Sequence, residues 1–255
     1  MRKLIMLLAV MLCSSCAQLP SAEILNGPPK HAQAVVFDID GTLIRRAGAY
    51  HREALVEAVR RVTGLDSTTD HIPVQGMLDR DILCIMMRDA GASATLIRKS
   101  MPEIVAAAER IYARRCPDLR RRVCPGARSL LYRLFRCNIP TGLVTGNLTL
   151  IGWTKMERAG LRRYFRFGVF AEMAPDRAGL ARLAIRQARR EGWIGPESNV
   201  TLIGDHPNDV QAAAANGIRS VAVATGLSSK QELAGHSPWV LLDDLRSLTL
   251  EMLIA

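Results

Sequence analysis

From residue 34 onward the chain alternates between short apolar runs and longer stretches of helical periodicity. Ala34-Val35-Val36-Phe37 ends abruptly in Asp38-Ile39-Asp40-Gly41-Thr42. The same grammar recurs where Pro140–Val144 runs into Thr145-Gly146-Asn147, Val200–Ile203 into Gly204-Asp205, and Arg219–Ala224 into Thr225-Gly226. Unbroken apolar runs predict strands buried on both faces, and acidic or glycine residues at their ends mark the carboxyl edge of a parallel sheet. Between them, apolar spacing predicts helices over Ala127–Cys137, Leu148–Ala159, Ala178–Glu191, Pro207–Asn216 and Asp243–Leu253, with Gly160 and Gly217 at helix C-cap positions.

One region breaks the alternation. Residues 50–120 read as helices with no strand between them, over Tyr50–Val62, Arg80–Asp89 and Ala94 to about Arg115. An all-helical insertion directly after the first strand predicts a cap over the sheet's carboxyl edge. The expected fold is α/β: a Rossmann-like parallel sheet with helices on both faces, built from 34–46 and 124–255, plus a helical cap over 47–123.

The N-terminus has a different pattern. Met1-Arg2-Lys3 precedes an apolar run from Leu4 to Leu12, then Cys13, Ser14, Ser15, Cys16 and Ala17. Nine apolar residues are too few for a spanning helix, which needs about 20. A basic start, a short apolar core and small residues are the layout of a secretory leader over 1–17. Ser14-Ser15-Cys16 also resembles the end of a lipobox, which would make Cys16 a lipidated first residue and attach the protein to a membrane. Cleavage after Ala17 is the rival, and a stretch lying upstream of the real start is a third reading. The leader favours the cell envelope over the cytoplasm. Residues 18–33, with Pro20, Gly27, Pro28 and Pro29, read as a linker.

Composition narrows the class. Hydrophobic residues make up 49% of the 255 and charged residues 23%, which excludes disorder over most of the length. The net charge of +10 suits phosphates, acidic metabolites or anionic lipid, although only five of the 34 basic residues are lysine, and such an arginine bias also follows from a GC-rich genome. Basic residues concentrate between Arg98 and Arg136, where a solvated helix face accounts for them; no nucleic-acid reading motif or aromatic platform accompanies them, so nucleic acid is not an expected partner. Cys84, Cys116, Cys124 and Cys137 form no C-x-x-C pair, which argues against zinc and redox motifs. Cys84 and Cys137 lie in apolar helical surroundings and read as core. Cys116 and Cys124 could pair in an exported protein.

The chemistry collects at the strand ends. Asp38 and Asp40, two apart in an extended chain, point the same way, and their repulsion requires a cation or a shared proton. Asp205 and Asp209 form a second pair around Pro207, a residue suited to the first helical position. Helix capping explains Asp209 taken alone. Carboxylates on two strand ends together suit a hard cation, for which Mg²⁺ is the default. Thr145, Gly146 and Asn147 offer a hydroxyl, a permissive backbone and an amide before a helix start, a setting for phosphate oxygens. A phosphoryl group also needs a cation, for which Arg177 is the candidate and Lys155 the rival.

Phe37-Asp38-Ile39-Asp40-Gly41-Thr42-Leu43, Val144-Thr145-Gly146-Asn147 and Ile203-Gly204-Asp205-His206-Pro207-Asn208-Asp209-Val210 resemble, in order and spacing, three of the four motifs of the haloacid dehalogenase-like hydrolase superfamily. The helical insertion resembles the cap of its phosphoglycolate phosphatase-like branch. The resemblance spans about Ala34 to Leu245. It implies Asp38 as nucleophile forming an aspartyl-phosphate, and Asp40 as acid to the leaving alcohol and then base to water. It also implies Mg²⁺ held by Asp38, the Asp40 carbonyl, Asp205 and Asp209, and substrate phosphate contacted by Thr145, Gly146, Asn147 and Thr42. Family members that cleave C–halogen bonds lack an acid at the Asp40 position, so phosphoryl transfer is implied.

Two departures stand out. The third motif usually carries Lys-Pro before a helix, whereas Ala174-Pro175-Asp176-Arg177 occupies that region. Gly76-Met77-Leu78-Asp79-Arg80 resembles a Gly-x-Thr-Asp loop of related phosphatases with leucine for threonine. The expected activity is Mg²⁺-dependent hydrolysis of a small phosphorylated metabolite. A sugar phosphomutase and a non-catalytic, envelope-anchored binding protein are the alternatives.

Overall fold

The computed structural model describes residues 31–45 and 48–254. Leader residues 1–17, with Cys13 and Cys16, and most of the expected linker lie outside the described residues. In chain order the first elements are β1 (His31–Phe37), α1 (Tyr50–Thr63), α2 (Asp79–Asp89), α3 (Ala94–Arg115), α4 (Ala127–Arg136) and β2 (Thr141–Val144). They are followed by α5 (Thr149–Arg158), β3 (Phe167–Val169), α6 (Arg177–Arg190), β4 (Ile194–Gly204), α7 (Pro207–Ala214), β5 (Arg219–Val223), α8 (Lys230–Gly235), β6 (Val240–Leu242) and α9 (Leu250–Ile254).

All strands pair in parallel, in the order β3-β2-β1-β4-β5-β6. This is the doubly wound Rossmann-like order, whose direction of winding reverses beside β1, where such sheets open a crevice at their carboxyl edge. Every residue of β2 is buried, as in a strand covered on both faces. Register decides what meets at the edge. Phe37 lies level with Leu143 of β2 and Ile203 of β4, so the next residues bring Asp38, Thr145 and Asp205 to one rim.

Four elements differ from the expected pattern. β1 starts at His31, inside the expected linker, because a parallel ladder with β4 needs backbone groups rather than apolar side chains. β3 and β6 are three residues each, too short for a period to register in sequence. The helix expected over Asp243–Leu253 is instead a 3₁₀ turn at Leu245–Ser247 followed by α9. Asp244, in extended conformation, breaks it by accepting from the N–H and guanidinium of Arg246. Cys137 is exposed rather than core, since it follows the last turn of α4, whose buried face is Leu130, Leu131 and Leu134. All four described cysteines are free; Cys116 Sγ lies 3.3 Å from the Tyr112 hydroxyl. Part of the arginine excess is structural: Arg128 donates to the carbonyls of Ala159 and Gly160 beyond α5, and Arg133 to that of Leu248.

The insertion consists of α1, α2 and α3, with α1 and α3 packed along each other around buried Leu55, Val59, Ile104 and Tyr112. Its link to the core includes the backbone hydrogen bond from Asp79 N–H to Gly146 O, 2.7 Å.

α6 starts at Arg177 because Asp176 caps it, accepting from Gly179 N–H at 2.6 Å. Asp176→Ala is expected to lower unfolding free energy by about 1 kcal/mol, and Asp176→Asn to restore most of it, measured by urea denaturation. An unchanged midpoint in the alanine variant would show that the cap does not fix this helix start.

Candidate active site

Asp38 follows β1 with its N–H on Ile203 O at 2.9 Å, which anchors it to the rim. Its carboxylate Oδ1 accepts from Arg177 Nη1 at 3.0 Å. Arg177, the first residue of α6, reaches back under the sheet edge, and the same nitrogen donates to Val144 O at 3.3 Å. Its Nε stands 3.3 Å from Asp209 Oδ1, close enough for ion pairing, although neither atom is in a hydrogen bond. Arg177 is thus the cation that faces Asp38 and Asp209.

Lys155 is a second cation rather than a rival. It is fully buried on α5, and its Nζ donates to Asp40 Oδ2 and to Asn147 Oδ1, both at 2.6 Å. Asn147 Nδ2 in turn donates to Asp40 Oδ2 at 2.9 Å and to Thr145 Oγ1 at 2.7 Å. The two carboxylates two residues apart are therefore separated by partner: Asp38 faces Arg177, and Asp40 faces Lys155.

Asp205 follows β4 and accepts from Thr42 Oγ1 at 2.8 Å. Gly41, at φ +86°, and Gly226 pack so closely on this carboxylate that a Cβ at either would collide with it. Asp209 divides its two oxygens. Oδ2 accepts from the His206 N–H at 3.2 Å and caps α7, while Oδ1 faces Arg177. Capping and membership of the acidic cluster are thus both true of one side chain.

Asp38, Asp205 and Asp209 are buried, and each offers an oxygen within 4.8 Å of the others. Burial raises the pKa of Asp38 to about 6; Arg177 opposes this, while Asp209 and Asp40 add to it. Asp205 is raised well above the ordinary range by burial and then by Asp38 and Asp209, and Asp209 is raised by burial against the pull of Arg177. Asp40 goes the other way: burial is outweighed by Lys155, His51 and the hydrogen bonds from Lys155 and Asn147. Burial works against the charge of Arg177, but Asp209 and Asp38 more than offset it and hold it protonated. Four carboxylates share two cations, and Asp209 Oδ1 is a buried acceptor without a hydrogen-bond donor. That donor set fits a hard divalent cation on Asp38, Asp205 and Asp209.

Asp38, Asp40, Asp205 and Arg177 line a cavity of about 340 Å³ between the sheet edge and the insertion, with Thr145, Gly146 and Asn147 on the core side and His51, Arg52, Leu55 and Met77 opposite. Thr42, expected to contact substrate, is not among its lining residues; it is fully buried and spends its hydroxyl on Asp205. Two residues that the sequence reading did not select complete the site. Asp79 Oδ2 accepts from Leu148 N–H and pairs with His51 Nε2, both at 2.9 Å, and His51 Nδ1 lies 3.3 Å from Lys155 Nζ. Asp79 carried a signal in its loop motif; His51, one residue of an amphipathic helix, carried none.

A doubly wound parallel sheet whose acidic strand ends face a cavity under a helical insertion is an α/β protein with a candidate active site at the sheet's carboxyl edge. The sequence profile of the haloacid dehalogenase-like hydrolases matches residues 35–214, and the chain belongs to that family. It is 26% identical over 226 residues to the phosphoglycolate phosphatase of Pseudomonas syringae pv. syringae, covering 86% of this chain and 79% of that protein. It is also 26% identical to the phosphoglycolate phosphatase of Synechococcus elongatus, covering 82% and 92%. Among solved structures, β-phosphoglucomutase from Clostridium difficile superposes with a TM-score of 0.64 at 18% identity, covering 87% and 95%, a likeness of fold. The family makes the chain a haloacid dehalogenase-like hydrolase, and these relatives are phosphatases. They also correct the envelope location expected from the leader. Relatives matched over more than four-fifths of the chain are phosphoglycolate phosphatases, which does not accord with an envelope-anchored protein. Among the described residues no helix is long and apolar enough to cross a membrane.

Mg²⁺ at about ten times its dissociation constant is expected to stabilise the protein by about 1.4 kcal/mol and to raise Tm by about 3–6 °C at pH 7.5. The shift should shrink at pH 4.5, where carboxyls with raised pKa values are protonated, and in Asp205→Asn. Equal shifts at both pH values would place the ion elsewhere.

Proposed function

We propose that the protein hydrolyses a small phosphate monoester through a phosphoryl group carried on Asp38. The observation that supports this best is the division of the two motif carboxylates between two buried cations, Asp38 with Arg177 at 3.0 Å and Asp40 with Lys155 at 2.6 Å, at one wall of one cavity.

In the first half, a carboxylate oxygen of Asp38 attacks phosphorus, the bond from phosphorus to the ester oxygen breaks, and Asp40 in its protonated form gives its proton to that oxygen, releasing the alcohol. In the second half, water attacks the phosphorus of the acyl phosphate while Asp40 takes its proton; inorganic phosphate leaves and Asp38 is regenerated. The Asp40 proton is returned, so one ester and one water give one alcohol and one phosphate. Lys155 favours the ionised form of Asp40, the state the second half requires. Arg177 lies against the nucleophile, where negative charge from the phosphoryl oxygens collects. Asp38, Asp205 and Asp209 would hold Mg²⁺, which supplies charge neutralisation to the phosphoryl oxygens when bound.

The cavity of about 340 Å³ suits a small ester, and the names of the relatives make 2-phosphoglycolate the first to test. Wild-type protein with Mg²⁺ is expected to release phosphate from at least one member of a monoester panel. Asp38→Asn should reduce that release by at least about 10³-fold with little change in Tm. Substantial turnover by the variant would refute the nucleophile. Conversion of a sugar 1-phosphate to its isomer without free phosphate would make the protein a mutase.

A further inference from the structure

A fully buried ammonium carries three N–H donors, and each needs an acceptor. For Lys155 the core supplies two, Asp40 Oδ2 and Asn147 Oδ1, each at 2.6 Å. The third is His51 Nδ1 at 3.3 Å, on α1 of the insertion. The hydrogen-bond network assigns the imidazole: Nε2 carries its proton toward the Asp79 carboxylate at 2.9 Å, which leaves the Nδ1 lone pair for the lysine. Asp79 is 3% exposed and holds on to the core twice, through its own N–H to Gly146 O at 2.7 Å and through Oδ2 from Leu148 N–H at 2.9 Å. The Tyr112 ring closes the nest, with Lys155 Nζ 5.8 Å from its centroid and the His51 ring edge-on at 5.6 Å. Removing His51 would leave a buried charged donor unpaired, and Lys155 could then regain a third acceptor only by shifting away from Asp40.

We infer that His51 and Asp79 are positioning residues for the proton-transfer half of the site: Asp79 orients His51, His51 completes the coordination of Lys155, and Lys155 fixes Asp40. The helical insertion thus completes the chemistry as well as covering it. This inference rests on the phosphatase reading above.

The two halves of the reaction separate the role from a merely structural one. With p-nitrophenyl phosphate the leaving group needs no proton, so formation of the phosphoenzyme depends on Asp38 and Arg177 but not on Asp40. Its breakdown needs Asp40 as base. Stopped-flow measurement with Mg²⁺ on the full chain is expected to show that His51→Leu and Asp79→Asn release the first equivalent of p-nitrophenolate within about threefold of the wild-type rate. Their steady-state turnover should then fall about 10- to 100-fold, a part of the about 10²–10⁴ that proton transfer contributes. His51→Gln, which can accept from Lys155 and donate to Asp79, should recover most of the loss. Equal slowing of both phases, or no slowing, would overturn the positioning role while leaving the phosphatase reading intact. No p-nitrophenolate from the wild type would overturn both.

Discussion

Packing four carboxylates into one sheet edge is unfavourable unless their charge is divided and compensated, and the rest of this site follows from how that is done. Asp38, Asp205 and Asp209 are buried and lie within ion-binding distance of one another. Left alone they would take up protons, as the raised pKa values of all three indicate. Arg177 compensates part of this from beneath, touching Asp38 and facing Asp209. Asp40 escapes the same fate because the chain has left the strand after Phe37 and brings its carboxylate to Lys155, which favours the ionised form. One strand end thereby presents a carboxylate suited to attack beside a carboxylate suited to proton transfer.

The fold serves this division directly. Parallel register lines up the ends of β1, β2 and β4, so groups from residues 38, 145 and 205 meet without any long loop having to carry them. α6 and α5 then deliver the two cations to that rim, one from its first turn and one from its last. The insertion adds a third contribution through Asp79 and His51, which tie it to the loop after β2 and to Lys155.

The parts legible in sequence were those with a local signature. β1, β2, β4 and β5 announced themselves by apolar runs ending in polar residues, and α3 was bounded at Ala94 and about Arg115 by periodicity alone. β3 and β6 did not, because three residues define no period. In the site, Asp38, Asp40, Asp205 and Asp209 were legible because acids at a strand end are costly and therefore informative. Thr42 was misread because a hydroxyl beside a motif looks the same whether it faces substrate or, as here, supports Asp205. Lys155 and Arg177 were read as competitors for one place, since sequence does not tell which side of a rim a helix approaches. His51 was invisible, its partners lying 28 and 104 positions away in the chain.

The central claim is that the two strand-end acids have different tasks, attack for Asp38 and proton transfer for Asp40. Acid quenching during turnover, followed by peptide mapping, tests it most directly. The account predicts that Asp40→Asn accumulates a phosphoryl group on the peptide containing residue 38, and that Asp38→Asn carries none. Phosphate on another residue, or no covalent adduct in Asp40→Asn despite measurable release of the alcohol, would contradict it.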